Sequence, residues 1–329
     1  TEAIAGSIGQ LTVTDNTVEA LEFQAVGGAI DGPVLVRGNQ VLDLGGATGL
    51  SYPLILVDGE GLGEVRVESN TAPTAYVVVR GETPGVVGAQ ASIIGNQAGL
   101  LTLESVGGSF GDTFTVTNNF LATTTDPNLS RMTIRALAGG DIVGGVISGN
   151  STDEFVINLE GFLTGDLITS GNLVRGQTTM QSVGNMGGAT HSITGNDFEG
   201  NVLIIGLDSL VHFYRMGGDI TVIQGTTADA ARNWWGCNAG PGQPGCSEPR
   251  TAGLPTSPWH TFNGEAACVG SRAVATFDLL TASDSSTPAG NTTPGAVTVT
   301  TLQGTVDHSP VFLSGGAGCS AISVNQGID

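Results

Sequence analysis

Lysine is absent from this chain of 329 residues, so arginine alone supplies the long basic side chains. Ten arginines stand against 30 aspartates and glutamates, which sets the formal net charge at −20. Nucleic acids and anionic membrane surfaces attract proteins through basic side chains, so neither is an expected partner. The lack of lysine also excludes Schiff-base chemistry in this chain.

Aromatic residues make up only 5% of the sequence and charged residues 12%. No apolar run reaches the ~18 residues that indicate a membrane-spanning helix, so we expect no membrane span. Glycine is abundant, with 52 residues, and branched aliphatic residues and threonine are frequent. This balance argues against disorder and predicts a long, thin core of small and branched side chains.

What the chain does contain is a short repeat. Eight segments place a β-branched or small residue three positions before an asparagine, as in Ile147-Ser148-Gly149-Asn150. The intervals between successive asparagines are 23, 31, 26, 23, 31, 22 and 24 residues. These ladder asparagines are Asn16, Asn39, Asn70, Asn96, Asn119, Asn150, Asn172 and Asn196.

The repeat predicts an all-β fold, a parallel β-helix in which each coil places the same side chain over its counterpart one rung below. We expect the asparagines to take the left-handed bend of each turn and to hydrogen-bond amide to amide in one buried ladder. The two longer intervals indicate loops of about eight extra residues. No hexapeptide period is visible, which favours the right-handed form, as does the usual handedness of parallel crossovers.

Cysteine is confined to roughly the last hundred residues, at Cys237, Cys246, Cys268 and Cys319. This distribution predicts two disulfides, an oxidising compartment and an extracellular or cell-surface location. Three connectivities are open, and the simplest joins nearest neighbours. Zinc is disfavoured because no C-x2-C pair is present. The sequence starts at Thr1 with no methionine or signal peptide, so we expect a processed chain.

The repeat ends near two adjacent tryptophans, Trp234 and Trp235, in an Asn-Trp-Trp-Gly segment that is followed by Gly240-Pro241. An open solenoid end needs a cover, which these rings suit. Here the chain resembles secreted proteins of the pectate-lyase-like right-handed β-helix superfamily, in which such a segment commonly closes the last rung. Residues 1–246 are therefore predicted to form the capped solenoid, and the resemblance implies little about activity.

The rest of the chain divides into two parts. Residues 247–265 contain Pro249, Pro255 and Pro258 and are predicted to form an extended linker. Residues 266–329 show short alternating apolar runs at 272–283, 296–306, 310–314 and 320–324, which predict four or five strands of a small β-sandwich. This part resembles an immunoglobulin-like module but lacks a full set of strands.

One row of charged residues is a candidate catalytic site. Asp153, Arg175 and Glu199 each follow a ladder asparagine by three positions, which predicts a spacing of ~4.8 Å between neighbours. The two carboxylates are then ~10 Å apart, slightly beyond the separation in inverting glycosidases. The alternative is an exposed acid-base-acid row that relieves like-charge repulsion, and we favour it. The resemblance implies lyases or hydrolases with clustered acids and basic substrate contacts, which this sequence lacks.

A candidate metal site consists of Asp58, Glu60 and Glu64 in a glycine-containing loop, with calcium as the candidate ion. The segment misses the EF-hand pattern, and the alternative is an acidic turn. His191 and His212 have no evident serine or cysteine partner, so we expect them to be core or surface residues rather than general bases.

These features favour a structural protein over an enzyme. We expect an extracellular subunit of a filament, sheath or layer that self-associates through head-to-tail β-contacts. Ala3-Ile4-Ala5 and Ile8 through Val13 are the predicted donor strand, or else they begin the first rung. The alternatives are a secreted polysaccharide lyase or hydrolase and an adhesin with glycans as partners, although scarce aromatic residues disfavour a sugar groove.

Overall fold

The structure is a computed structural model, and it describes residues 2–4, 9–42, 54–87, 90–106, 110, 112–121, 130–137, 141–160, 162–182, 189, 191–206, 209–212, 215–216, 218–223, 228–231, 233–269, 272–285, 296–297, 305–306, 311–312 and 317–323. These residues form strands, turns and bends, and none of them is helical. Among them there is accordingly no helix of the length and apolarity that crossing a membrane requires. The protein is all-β, as the sequence predicts.

Ten short parallel strands form one long sheet, called here the first sheet. Spatial order follows chain order, so the chain advances by one rung per coil, as in a parallel β-helix, and this is compatible with the predicted right-handed form. At ~4.8 Å per strand the sheet is roughly 43 Å long. Its strands are Leu11–Thr14, Val34–Arg37, Val65–Glu68, Ala91–Ile94, Phe114–Thr117, Gly145–Ser148, Leu167–Ser170, His191–Thr194, Ser209–His212 and Ala228–Asp229.

A second sheet of 17 parallel strands completes the coils. A short strand and then a longer strand follow six of the eight ladder asparagines, whereas a single long strand directly follows Asn70 and Asn96. The strands are Glu2–Ile4, Thr17–Val18, Leu21–Ile30, Gln40–Val41, Leu54–Leu62, Thr71–Val87, Gln97–Val106, Phe120–Leu121, Arg131–Leu137, Ser151–Thr152, Glu154–Leu159, Leu173–Val174, Thr178–Ser182, Asp197–Phe198, Val202–Ile205, Arg215–Met216 and Ile220–Ile223. Asp141–Ile142 and Phe162–Leu163 form a separate parallel pair.

Each coil turns sharply at the residue before its ladder asparagine. The φ angle at these eight positions lies between 53° and 67°, in the left-handed region. The expectation that the asparagine itself takes the bend is therefore wrong by one position. Glycine suits the turn because it has no Cβ, and the asparagine keeps a backbone that aims its amide inward. The turn residues are Asp15, Gly38, Ser69, Gly95, Asn118, Gly149, Gly171 and Gly195.

Side chains of successive rungs stack in columns inside the coil. Val116 and Ile147 lie directly over one another and are fully buried. In the neighbouring column Phe114 lies opposite Gly145, and a Cβ at Gly145 would overlap the Phe114 ring. A small residue thus compensates for a large one in the next rung, which keeps the core closely packed.

The two intervals of 31 residues contain residues 43–53 and 122–129, which lie outside the described residues. The loops predicted there therefore stay a prediction. The first-sheet strands before and after each of these intervals nevertheless pair in register. Val36 lies opposite Val67, and Val116 lies opposite Ile147.

The chain after the last coil first follows the solenoid. The backbone N–H of Ile220 donates to the carbonyl of Glu248 at 3.1 Å, and that of Arg250 donates to the carbonyl of Ile220 at 2.8 Å. The first part of the predicted linker thus lies along strand Ile220–Ile223. The second part differs from the prediction, because residues 260–265 belong to strand His260–Val269.

Further strands form an antiparallel sheet and a separate antiparallel pair. The sheet order is His260–Val269, Arg272–Ala282, Ala317–Ser323 and Thr305–Val306. The pair consists of Ala296–Val297 and Val311–Phe312. The immunoglobulin-like topology and the predicted boundary between residues 246 and 247 stay predictions, whereas the predicted boundary between residues 265 and 266 falls within strand His260–Val269.

Candidate functional site

The ladder asparagines form one continuous column of hydrogen bonds. The side-chain oxygen of each one from Asn39 to Asn196 accepts both the backbone N–H and the side-chain amide of the previous asparagine, at 2.9–3.0 Å. The side-chain amide of Asn172 also donates to the carbonyl of Ile147 at 3.0 Å. Asn16 is exposed and the other seven are at most 1% exposed. Because its polar groups are buried and satisfied, the ladder serves stability rather than ligand binding.

Asp153, Arg175 and Glu199 lie at one corner of three successive coils. Nη1 of Arg175 is 3.4 Å from Oδ1 of Asp153, and its Nη2 donates to Oγ of Ser151 at 3.1 Å. The backbone N–H of Arg175 and that of Glu199 each donate to the coil before them, at 3.0 and 2.9 Å. The structure therefore brings the three backbones together in register.

The charges of this row alternate in sign along three successive coils. Arg175 lies between the two acids in register, and its guanidinium contacts Asp153. The row can relieve repulsion between acids, which is the alternative stated from the sequence.

The structure divides the candidate calcium ligands between two ion pairs. Asp58 is 6% exposed, and both of its carboxylate oxygens accept from Arg80, at 3.2 Å from Nε and 2.5 Å from Nη2. Glu64 pairs with Arg66 instead, with Nε 2.6 Å from Oε1. Glu60 lies in strand Leu54–Leu62, and its side chain is outside the described part. Within that part no three acidic, histidine or cysteine residues are grouped to hold a metal ion.

Sequence reasoning missed the column of charges to which Asp58 belongs. On four successive long strands Asp58, Arg80, Glu104 and Arg135 lie opposite one another. Nη1 of Arg135 is 3.8 Å from Oε1 of Glu104. The signs alternate at the strand spacing of ~4.8 Å, so each charge has a neighbour of opposite sign.

This column is hidden in the sequence because the chain between each ladder asparagine and the charged residue varies in length. Counted from the preceding ladder asparagine, its members are 19, 10, 8 and 16 residues away, and the register shifts between Gly59 and Gly61 and between Ala98 and Leu100. A fixed offset therefore cannot align them. The signal that was available is the alternation within each strand, such as Val77-Val78-Val79-Arg80, in which the charged residue occupies an outward position.

Ion pairing leaves little free positive charge on the described surface. Six arginines contact a carboxylate there, namely Arg66, Arg80, Arg131, Arg135, Arg175 and Arg250. A track for a polyanionic sugar needs basic side chains that are available to the ligand. These six arginines are therefore paired within the surface, which leaves fewer basic side chains available to a polyanionic ligand.

His191 is a core residue, as the sequence analysis expected. It is fully buried, and its Nε2 is 3.0 Å from Oγ1 of Thr169. Burial lowers the pKa of His191 to about 3. The ring is therefore neutral at pH 7 and has no access to a substrate. His212 lies in strand Ser209–His212, opposite Thr194, and its side chain is outside the described part.

The two tryptophans occupy different environments. Trp235 is fully buried within the solenoid core cluster, and its carbonyl accepts the N–H of Ser247 at 2.9 Å. Trp234 is half-buried, with its ring centroid 5.9 Å from that of Phe262. Trp235 thus extends the core past the last strand of the first sheet.

Cys237 and Cys246 form a disulfide, with Cα atoms 5.3 Å apart. The second predicted pair, Cys268 with Cys319, is incompatible with the register of the antiparallel sheet. Cys268 lies opposite Ala273 and Cys319 lies opposite Thr276, on the two strands that flank Arg272–Ala282. Their Cα atoms are therefore at least ~10 Å apart, beyond the ~7 Å limit for a disulfide. The register contradicts a Cys268–Cys319 bond.

Comparison of the chain with protein-family models, with curated proteins and with solved structures finds no match.

Proposed function

We propose that the chain is a non-enzymatic structural subunit of an extracellular or cell-surface filament, sheath or layer, which self-associates through head-to-tail β-contacts. The observation that supports this proposal is the open edge of the first coil. Strand edges of this kind template the addition of another strand.

Strand Leu11–Thr14 has one partner among the described strands, namely Val34–Arg37. The N–H of Leu11 and that of Asp15 donate toward this partner side, to the carbonyls of Pro33 and Arg37 at 3.0 Å each. Since hydrogen-bonding direction alternates along a strand, the amides of Thr12 and Thr14 face the open edge. Leu11 and Val13 are only partly buried beneath this edge, whereas their counterparts in later rungs are fully covered.

The sequence predicted that the N-terminal segment donates a strand to a neighbouring subunit. This prediction is wrong for the residues that the structure describes. Residues 2–4 pair with residues 24–26 of the same chain, and strand Leu11–Thr14 pairs with the next rung. Ala5 and Ile8 lie outside the described residues. The segment thus begins the first coil, which was the stated alternative, and the first coil becomes the acceptor in the proposed contact.

The proposed donor is an edge strand of the C-terminal antiparallel sheet in the next copy. Strand His260–Val269 lies at one edge of that sheet. Asn238 bonds the backbone of Phe262 near its start, which points to the later part of the strand as the contact. A contact between two different surfaces does not close on itself, so it propagates as a polymer.

The extracellular location and the cap are parts of the same proposal. The disulfide between Cys237 and Cys246 supports an oxidising compartment. The burial of Trp235 supports a capping role and the proposed likeness to the pectate-lyase-like superfamily. The enzyme and the glycan-binding adhesin stay as alternatives, and no observation on the described residues favours either.

A strand-edge variant tests the head-to-tail contact. Thr12→Pro removes an N–H at the open edge, whereas Thr12→Ala keeps this N–H and removes only the hydroxyl. We expect polymers of the unaltered protein and of Thr12→Ala in electron micrographs, and monomers for Thr12→Pro with unchanged circular dichroism. A monomeric unaltered protein at millimolar concentration, or polymers of undiminished length in Thr12→Pro, contradicts the proposal.

A further inference from the structure

One face of the solenoid is free of charge over five consecutive rungs. The outward positions of the first-sheet strands from Ala91–Ile94 to His191–Thr194 are the second and fourth residues of each strand, and the structure describes all ten. They are serine, threonine, valine and isoleucine only. Ile168 is exposed, eight are partly buried, and Ser92, at the start of the strip, is buried. We call this face the neutral strip. It stands out on a chain whose net charge is −20.

Charges surround the neutral strip. Arg66 and Glu68 occupy the same outward positions one rung before it. Asp112 and Asp166 are exposed beside its strands on one side. Arg175 reaches the opposite side, where it donates to Ser151. An uncharged centre within a charged rim is the anatomy of a protein interface.

Exposed apolar side chains lie on this face or at its border. Ile168, on the neutral strip, is 40% exposed, and Phe120, on the adjoining short strand, is 46% exposed. Val143, two residues before strand Gly145–Ser148, is 38% exposed. These three are the exposed large hydrophobic side chains of the described part of the chain.

We propose that the neutral strip is a lateral self-association surface, and that its partner is the neutral strip of a second copy. Two chains of charge −20 repel each other, so close approach is least costly where neither presents a carboxylate. Ridges at the strand spacing of ~4.8 Å on one copy match the grooves of an identical surface. A sugar ligand fits less well, since the strip itself has no aromatic ring for stacking.

The size of the neutral strip indicates a weak contact. Five strands at ~4.8 Å by about 20 Å of width, including the adjoining turn and short strand, give roughly 500 Å² per copy. Stable dimers bury about 800 Å² per partner, so a single pair belongs to the transient class. Strong lateral pairing then requires many subunits in register. This requirement rests on the proposed filament, whereas the pairwise contact does not.

Sedimentation velocity over a concentration series tests the pairing. We expect the sedimentation coefficient of the unaltered protein to rise with concentration, and to rise further in added sodium chloride, which screens the repulsion. Ile168→Glu places a carboxylate in the centre of the strip and should abolish the rise. Thr179→Glu is the matched control, because Thr179 is an outward, partly buried residue of the second sheet, and it should leave the rise unchanged.

Three results overturn the proposal: an unaltered protein that stays monomeric throughout, equal losses in both variants, or a monomer that instead pellets with an insoluble neutral polysaccharide. Electron micrographs of the same samples distinguish this failure from failure of the proposed function. Single filaments without side-by-side pairing contradict the lateral contact only. Discrete pairs that disappear in Ile168→Glu, without filaments, support the lateral contact and contradict the head-to-tail proposal.

Discussion

At the scale of the residue, each internal ladder asparagine holds at least four side-chain hydrogen bonds. The oxygen of Asn172 accepts twice from Asn150, and its amide donates to Ile147 and to Asn196. Removing the side chain of Asn172 therefore leaves the backbone N–H and the side-chain amide of Asn150 without this acceptor, and the oxygen of Asn196 keeps only the backbone N–H of residue 172. The cost falls on the neighbours as well as on the substituted residue.

We expect Asn172→Ala to lower the free energy of unfolding by at least about 3 kcal/mol, since each orphaned buried group costs about 1–3 kcal/mol. Urea denaturation measures this loss. Asn16→Ala is the matched control, because Asn16 is exposed at the ladder end, and it should cost about 1 kcal/mol or less. Equal losses at the two positions would contradict the buried-ladder argument.

His191 gives the protein an acid sensitivity of its own. Its pKa is about 3 in the fold, against 6.5 for the unperturbed side chain. As the pH falls below 6.5, the unfolded chain binds a proton that the folded chain refuses, so stability is lost between pH 6.5 and 3. At pH 5 the loss amounts to about 2 kcal/mol.

Replacing His191 tests this linkage. We expect His191→Leu to have a shallower decline of the urea midpoint between pH 6.5 and 4.5 than the unaltered protein. Thr169→Val removes the hydrogen-bond partner but retains the buried ring, so it should keep the steeper decline. Parallel declines in the unaltered protein and His191→Leu would show that the acid sensitivity arises from carboxylates elsewhere.

At the scale of the element, the turn before each ladder asparagine explains the choice of residues around it. Five of the eight turn residues are glycine, and Asp15, Ser69 and Asn118 hold the same left-handed backbone with a side chain attached. An L-residue in this conformation costs about 1–2 kcal/mol, partly offset by the lower entropy of its unfolded state.

Opposite substitutions in two adjacent turns should therefore have opposite effects. Ser69→Gly should stabilise the protein by up to about 1 kcal/mol, and Gly95→Ala should destabilise it by about 1 kcal/mol. Space is available at Gly95, where the nearest atom to an added Cβ is Oγ of Ser69 at 3.7 Å, so backbone strain alone is measured. Thermal unfolding midpoints compare the two. Changes of the same sign would mean that the turn conformation does not dominate.

At the scale of the whole molecule, charge is neutralised locally on a strongly acidic rod. Six arginines contact carboxylates in the described part, and the net charge is −20. We therefore expect no cleavage of pectate, alginate or neutral glycans, with or without calcium, in reducing-end assays. Turnover that is abolished by Asp153→Asn or Glu199→Gln would instead support the enzyme alternative.

The asparagine spacing by itself determined the solenoid, because a coil of constant path returns the same residue to the same place in every rung. It also predicted which residues share the corner of Asp153, Arg175 and Glu199, which follow their asparagines at a fixed offset. The nearest-neighbour disulfide of Cys237 and Cys246 was predictable because a short loop joins them.

Only the tertiary structure decided features that depend on the pairing of unequal segments. The Asp58 to Arg135 column is hidden because the segments between its members and the preceding ladder asparagines differ in length, which no fixed offset reveals. The separation of Cys268 from Cys319 depends on which strand lies between them. The start of strand His260–Val269 was missed because the prolines that precede it in the sequence indicated a linker. The neutral strip is different, because its residues lie at fixed offsets, four and two before each ladder asparagine, and the stacking of five strands decides only that they form one outward face. Each strand alone shows an ordinary alternation of inward and outward residues. The uncharged outward residues form one continuous surface only when the coils stack.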